Sequence, residues 1–390
     1  MTQPTHNRIF TWDFWMIFLA AGLIRISYNM QNTLMPVYMD SLGFSAKAIG
    51  LGSTISTIAS LFLRPFLGGV LDRYGRRKLA IFGTALFAAA TLSCGFFGAL
   101  AVLLAMRGLQ GAGFSAHTTA INTMAADVLP KERLSEGIGY MSLTGSVSHA
   151  IAPAIALLFV GAGKYSGGFS LSGSIGFLAV LCVLLVRAPD VRSGKASETR
   201  NLLDRMLEKK ALKPTLITMI LGACQSGLST YMAVYAIGRG FDTGLISIYF
   251  TVSAVATMVA RLVGGRISQR IGLKATLVVT SLLNVAGFLM IPFSRSIWGI
   301  WIAAALLGFS YGTIYPMMNA MAVTESPSDR RGTAMATFLT GMDIGVGFGA
   351  GLWGVIIDAF GIDSMFLLSA VISVILYLIS HALLLPRKQA

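Results

Sequence analysis

GGVLDRYGRRK, residues 68–78, carries five charged side chains within seven residues of a chain that is only 12% charged. The charged residues are Asp72, Arg73, Arg76, Arg77 and Lys78. Long apolar runs lie on both sides, so the pattern indicates a short polar loop between two hydrophobic helices. The charge in this loop therefore needs a reason that lies in the rest of the chain.

Apolar runs of about twenty residues, the length of a membrane-crossing helix, recur along the whole chain, of which 55% is hydrophobic. The composition predicts an all-α membrane protein with twelve transmembrane helices. The first run begins near Trp12 and lacks a small-residue cleavage site, so we expect it to stay as a span. The predicted spans are 13–38, 46–71, 79–98, 101–127, 135–160, 168–187, 212–237, 244–268, 275–293, 297–323, 333–357 and 364–385.

The basic residues set the predicted orientation. With both termini in the cytoplasm, the 30 Lys and Arg residues divide into 22 in cytoplasmic segments, 4 in outer loops and 4 within spans. This is the positive-inside bias of membrane proteins. Because these residues lie in short loops, the net charge of +14 does not predict nucleic-acid binding. Cys94, Cys182 and Cys224 all fall in apolar runs, so we expect buried thiols, with no disulfide and no metal site.

A polar segment, Arg187–Pro214, interrupts the apolar runs after the sixth span. It predicts an N-terminal six-helix bundle over 1–187, a cytoplasmic linker over 188–211 and a C-terminal six-helix bundle over 212–390.

The two predicted bundles repeat each other at an offset of 197 residues. The offset aligns Asp72 with Gln269, and it aligns identical residues in the pairs Arg64 and Arg261, Gly68 and Gly265, Arg73 and Arg270, Gly75 and Gly272, Gly111 and Gly308, and Asn122 and Asn319. Two parallel halves around a central path are a transporter architecture, with the substrate expected near the membrane midplane.

The chain resembles the major facilitator superfamily along nearly its whole length, with two of three tested motifs present and the third largely replaced. The loop motif of that family is complete in Gly68, Asp72, Arg73, Gly75, Arg76, Arg77 and Lys78. A second motif, in the fourth span, is met by Arg107, Gln110, Gly111 and Gly113. The helix-5 motif associated with antiporters survives only as Gly139 and Pro153, with Ser148, Ala152 and Ala156 in place of glycines. The resemblance implies the fold of that family, a bacterial inner membrane and transport by alternating access.

The resemblance also gives the charged loop a role as a latch. It implies that Asp72 docks against the start of span 11, around Arg331–Thr333, when the inner side is closed, because a helix N-terminus attracts a carboxylate. Gly68 and Gly75 then allow close approach and a tight turn, and Arg73, Arg76 and Arg77 hold the loop. The alternative is that the basic residues only anchor the loop on the cytoplasmic side. In the second copy Gln269 replaces the acid, so that latch is expected to be vestigial.

Polar and charged residues inside the predicted spans are functional candidates, because burying them in hydrocarbon is costly. Arg25 lies about 18 Å along span 1 from Asp13, close to mid-membrane, and Asp343 is the deepest acid of span 11. The candidates for substrate binding are Arg25, Tyr28, Asn29, Asn32, Arg107, Gln110, Gln225, Ser229, Tyr311 and Tyr315. The candidates for proton coupling are Asp343, His149 and His117.

Each of these candidates has a structural alternative. Arg107 would then pin span 4 to main-chain carbonyls of span 1, the two histidines would be satisfied neutral groups, and Asp343 would pair with a buried cation. The tyrosines would be ordinary packing residues.

The sequence favours a secondary active transporter over an enzyme or a sensor. It has no nucleotide-binding G-x-x-x-x-G-K-[ST] segment and no soluble domain, and no nucleophile, carboxylate pair or metal-ligand cluster gathers at one depth. We expect a monomer without cofactors that exports a small molecule by proton antiport, with proton-coupled uptake of an organic anion as the alternative. Arg25 and Arg107, opposed by one deep acid, favour an anionic group on the substrate; if both are neutralised within the protein, a lipophilic cation would fit instead.

Overall fold

The computed structural model describes residues 9–130, 133–188, 208–327 and 330–384. Six helices come first: α1 (Trp12–Ser41), α2 (Ala46–Tyr74), α3 (Arg76–Ser93), α4 (Leu100–Val128), α5 (Leu134–Gly161) and α6 (Tyr165–Leu184). After a 3-10 turn at Lys209–Ala211 come α7 (Leu212–Gly238), the stretch Thr243–Phe293 that holds α8 and α9, α10 (Ile297–Thr324), α11 (Arg331–Phe360) and α12 (Asp363–Leu384). The described residues form no strand, so the predicted all-α class is confirmed.

Gly272 separates α8 from α9. Its backbone angles, φ 83° and ψ 158°, are non-helical and lie where only glycine is unstrained. Gly75, which lies 197 residues earlier between α2 and α3, has the matching angles φ 96° and ψ 151°. The predicted duplication therefore extends to backbone conformation. The same offset relates Gly43 and Gly240, with φ values of 79° and 78°.

The surface suits a lipid environment. Among the described residues, seven helical stretches are long and apolar enough to cross a bilayer, with Thr243–Phe293 counted as one. Large apolar side chains on several helices of the protein point outward. Examples are Phe62, Phe82, Leu158 and Leu262, each at least 65% exposed. A soluble protein rarely exposes so many large apolar side chains.

By packing, the chain divides into two units. Unit 1 comprises Met1–Leu42 and Ile55–Ser197, and unit 2 comprises Gly43–Thr54 and Glu198–Ala390. The core of unit 1 includes Ile17, Ala80, Ile121 and Val183. The core of unit 2 includes Ile217, Met318 and Phe338.

The predicted boundaries of the bundles and the linker stay a prediction, and most of the linker lies outside the described residues. The sequence did not indicate that α2 is shared: residues 43–54, which include its first two turns, pack with unit 2, and the remainder packs with unit 1.

Candidate functional site

The charged loop between α2 and α3 is tied into unit 1 by its basic residues. Arg76 forms an ion pair with Asp127 at the end of α4, and Arg77 donates to the carbonyl oxygen of Leu184 at the end of α6. The guanidinium of Arg73 lies 5.4 Å from the ring centroid of Tyr74. These contacts give the basic residues an anchoring role.

Gly68 and Asp72 lie within α2, but the Asp72 side chain is outside the described part of the structure. Its docking against the start of α11 stays a prediction.

Arg107 is the centre of a buried polar cluster in unit 1. Only 3% exposed, it lies in α4 with Nη1 and Nη2 at 3.4 and 3.3 Å from Oδ1 of Asn32 in α1. Nη1 is also 3.3 Å from Oε1 of Gln110, whose amide nitrogen lies 3.3 Å from the hydroxyl of Thr91 in α3. The cluster thus joins α1, α3 and α4. Its members in α1 and α4 are residues that the sequence analysis named as candidates.

A second polar group joins α1 to α5. Asn29 donates from Nδ2 to Oγ of Ser148 at 2.8 Å. Ser148 is one of the residues that replace a motif glycine, so this departure from the family pattern supplies a hydrogen-bond partner. One turn before Asn29, Nη1 of Arg25 lies against Gly145, where a Cβ would come within 3.4 Å of it.

His117 of α4 is almost completely buried, with 1% exposure. Its Nδ1 lies 2.6 Å from Oγ1 of Thr84 in α3, and the same hydroxyl lies 2.5 Å from the carbonyl oxygen of Ala80. Thr84 thus fixes the position of the imidazole ring. Among the described residues Nε2 has no hydrogen-bond partner, and the charge of Arg25 acts on this ring electrostatically.

Two further candidates of unit 1 lie in different surroundings. Tyr28 stacks on Phe114, with ring centroids 4.1 Å apart and an interplanar angle of 15°. His149 is exposed, unlike His117.

The candidates of unit 2 form an aromatic and charged group. The rings of Tyr311 and Tyr315 of α10 stack with their centroids 5.8 Å apart. The Tyr315 ring also packs against Phe338 of α11, with ring centroids 5.5 Å apart. Tyr315 is also within electrostatic reach of Asp343 in α11 and of Arg261 in α8. Asp343 is half-buried.

The remaining two candidates lie on α7, where Gln225 is half-buried, Ser229 is exposed, and the Ser229 hydroxyl donates to the Gln225 carbonyl oxygen at 3.0 Å.

Sequence reasoning did not select four polar residues of these clusters: Thr84, Thr91, Ser148 and Arg261. The two threonines gave no signal, because a threonine in an apolar run is unremarkable. Ser148 entered the sequence analysis only as a departure from a motif, and Arg261 only as the repeat partner of Arg64.

All three cysteines are buried, and among the described residues no group of three or more His, Cys, Asp or Glu side chains is placed to hold a metal ion.

Comparison with known proteins identifies relatives along nearly the whole chain. The chain is 21% identical to the staphylopine export protein of Staphylococcus aureus over 95% of both chains. It is also 21% identical to the quinolone resistance protein NorA of the same species over 79% of this chain and 78% of that one. The crystal structure of the nucleoside transporter NupG superposes with a TM-score of 0.83 at 15% identity, covering 96% of this chain and all of the other.

The family model described as Major Facilitator Superfamily matches residues 17–293 and 243–390. It covers the loop motif, the duplicated glycines and both polar clusters. The chain therefore belongs to the Major Facilitator Superfamily and is a multi-pass membrane transporter.

Proposed function

We propose that this protein exports a small organic solute in exchange for protons, working by alternating access, and that it is not an enzyme. Two relatives support the direction of transport, since one is named an export protein and another a resistance protein. Their identity of 21% is too low to carry over a substrate.

The observation that carries proton coupling is the half-buried carboxylate of Asp343 in α11, which lies within electrostatic reach of Tyr315. Asp343 is the first candidate to carry the proton, and His117 and His149 are the alternatives. His117 is buried beside the positive charge of Arg25, which keeps its imidazole neutral until water or an anion reaches it. Because Arg25 is a candidate for substrate binding, a change of charge at one group is felt at the other.

The substrate is proposed to carry an anionic group. Arg25 and Arg107 present guanidinium groups that bind carboxylate or phosphate through paired hydrogen bonds. Asn32 and Gln110 hydrogen-bond to Arg107, and Tyr28 and Asn29 lie on α1 between Arg25 and Asn32. In unit 2, Gln225, Ser229, Tyr311 and Tyr315 offer further polar and aromatic contacts.

The charge distribution supports an orientation in which both termini face the cytoplasm of a bacterial inner membrane. The protein is proposed to act as a monomer. The charged loop then lies on the inner side, where Asp72 closes the inner gate as a latch.

Transport into inverted vesicles under an imposed pH gradient tests this function. With the lumen acidified, an exporter by proton antiport should accumulate its substrate in the lumen, and an uncoupler should release it. The screen should set organic anions against lipophilic cations, with vesicles that lack the protein as control. If the transported compounds accumulate to the same level with and without the pH gradient, proton coupling is contradicted.

Proton-coupled uptake is the second candidate function, and Ser148 favours it. The helix-5 glycines associated with antiporters are largely replaced here, and Ser148 instead bonds α5 to α1 through Asn29. In that case the same substrates should accumulate in right-side-out vesicles when the external medium is acidified, and antiport would be wrong.

A further inference from the structure

The first turn of α2 is capped by a side chain from a distant helix. The carboxylate of Asp358, in the last turn of α11, accepts hydrogen bonds from the backbone N–H of Ala46 at 2.9 Å and of Lys47 at 3.0 Å. The N–H of Ala48 has a local partner, the Ser45 hydroxyl, at 3.3 Å. Because the first N–H groups of a helix have no partner within it, Asp358 supplies what the local sequence lacks.

The location of Asp358 is unfavourable for its own helix. A negative charge in the last turn of a helix is repelled by the negative end of the helix dipole, whereas the same charge at a helix N-terminus is attracted. The carboxylate therefore gains its stabilisation from α2 and not from α11.

In the second copy of the repeat, the start of the matching helix is capped by a residue next to that helix. The residue 197 positions after Ser45 is Asp242, which precedes α8 and accepts a hydrogen bond from the N–H of Gly244 at 2.8 Å. Thus α8 begins with an acidic cap of its own. At the start of α2 that acid is replaced by serine, and the acidic cap comes from α11.

The rest of the contact between α2 and α11 is close and polar. The Tyr231 hydroxyl of α7 lies 2.9 Å from the carbonyl oxygen of Ala46 and 3.0 Å from that of Ala350, and Thr54 donates to the carbonyl oxygen of Gly347 at 2.7 Å. A Cβ on Gly50 would lie 2.3 Å from the Ala350 carbonyl oxygen. All of these residues belong to unit 2, although α2 continues into unit 1.

We propose that Asp358 is the latch of the outer gate. By capping α2 it holds residues 46–54 on α11, and transport requires this cap to break and re-form in each cycle. The inference rests on the proposed alternating access and on the orientation that places the start of α2 on the outer side. A cap borrowed from another helix is suited to this role because it can release without unwinding α2, whereas a local cap such as Asp242 moves with its own helix.

The test uses a single cysteine as a reporter of the contact. Thr54→Cys is introduced into the full chain, whose native cysteines are buried, and is labelled with a membrane-impermeant maleimide in right-side-out vesicles. Thr54 is 9% exposed, so labelling should be slow in the parent. With Asp358→Ala we expect labelling at least several-fold faster. Asp363→Asn, which removes an exposed acid paired with Arg239 in unit 2, is the matched control and should label like the parent.

Two milder variants keep the test decisive if Asp358→Ala fails to insert. Asp358→Asn retains an acceptor oxygen but loses the charge and should label at an intermediate rate. Ser45→Asp gives α2 a local acidic cap and places a second negative charge near Asp358, so it should also speed labelling. Equal labelling rates in the parent and in whichever Asp358 variant inserts would overturn the latch. The labelling needs no substrate and no proton gradient, so its outcome is independent of whether proton-coupled export is correct.

Discussion

Arg25 combines two properties that a binding residue needs. Its guanidinium lies against Gly145 of α5, where a Cβ would come within 3.4 Å of Nη1, and it acts electrostatically on His117. The glycine therefore keeps a side chain at position 145 from crowding this guanidinium.

Replacement of Arg25 tests the charge of the substrate. Arg25→Lys keeps the charge but loses the planar fork, so binding of an anionic substrate to the purified protein should weaken by about tenfold. Arg25→Ala should nearly abolish binding. Arg239→Ala, which removes an exposed arginine of unit 2, should leave binding unchanged. Improved transport of a lipophilic cation by Arg25→Ala, with anion uptake unmeasurable in both forms, would show that the assignment of charge is wrong.

Asp343 is the acid to test for proton coupling. Asp343→Asn is nearly isosteric and cannot ionise, so it should abolish proton-driven accumulation while substrate exchange across the vesicle membrane continues. Asp363→Asn serves as the control, because that acid lies at the start of α12 in an exposed ion pair. If Asp343→Asn still concentrates substrate against a gradient, the proton role passes to His149 or His117.

At the scale of helices, glycine determines how closely neighbours pack. A Cβ on Gly111 of α4 would lie 2.0 Å from the carbonyl oxygen of Ser56 in α2, and a Cβ on Gly308 of α10 would lie 2.4 Å from that of Ser253 in α8. In both copies the residue four positions after that serine, Ser60 or Thr257, donates its hydroxyl hydrogen to the carbonyl oxygen of the same glycine. Small residues at such crossings are a common device of membrane helices.

Gly111→Ala should therefore destabilise the protein. The new methyl group meets backbone that cannot move like a flexible side chain, so we expect a loss of about 1–3 kcal/mol. Gly108→Ala on the same helix is the matched control, since among the described residues its Cβ would have one close neighbour, the Ile55 methyl group, at an ordinary contact distance of 3.4 Å. Thermal unfolding in detergent measures both variants. Equal unfolding temperatures for Gly111→Ala and Gly108→Ala would contradict the tight crossing.

Sequence periodicity predicted the helices but not their neighbours. The turn glycines could be predicted because only glycine adopts positive φ without strain. The repeat could be predicted because one constant offset aligns many residues. The partners of the buried polar groups were not readable, since a membrane helix is apolar on most faces and its rotation is fixed by packing. The pairs Thr84 with His117 and Asn29 with Ser148 could not be predicted for this reason. The cap from Asp358 joins residues more than 300 positions apart, so no local sequence pattern predicts it.

At the scale of the whole molecule, the Asp72 latch is the prediction with the largest effect. Asp72→Asn keeps the size of the side chain and removes its charge, so the protein should insert at near-normal levels while transport falls severely. Gln269→Ala, at the equivalent position of the second copy, should be mild. Initial rates in inverted vesicles, normalised to inserted protein, compare the two variants. Full transport by Asp72→Asn would refute the inner latch.

The capping of α2 by Asp358 also bears on biosynthesis. Lys47 and Asp358 are 311 residues apart in the chain, so at 5–20 residues per second the ribosome needs roughly 15 to 60 seconds to make the second after the first. During that time α2 has entered the membrane with two of its first N–H groups lacking their final partner. The outer end of this early helix therefore reaches its mature form only when nearly the whole polypeptide has been synthesised, and a truncated nascent chain would keep that end frayed.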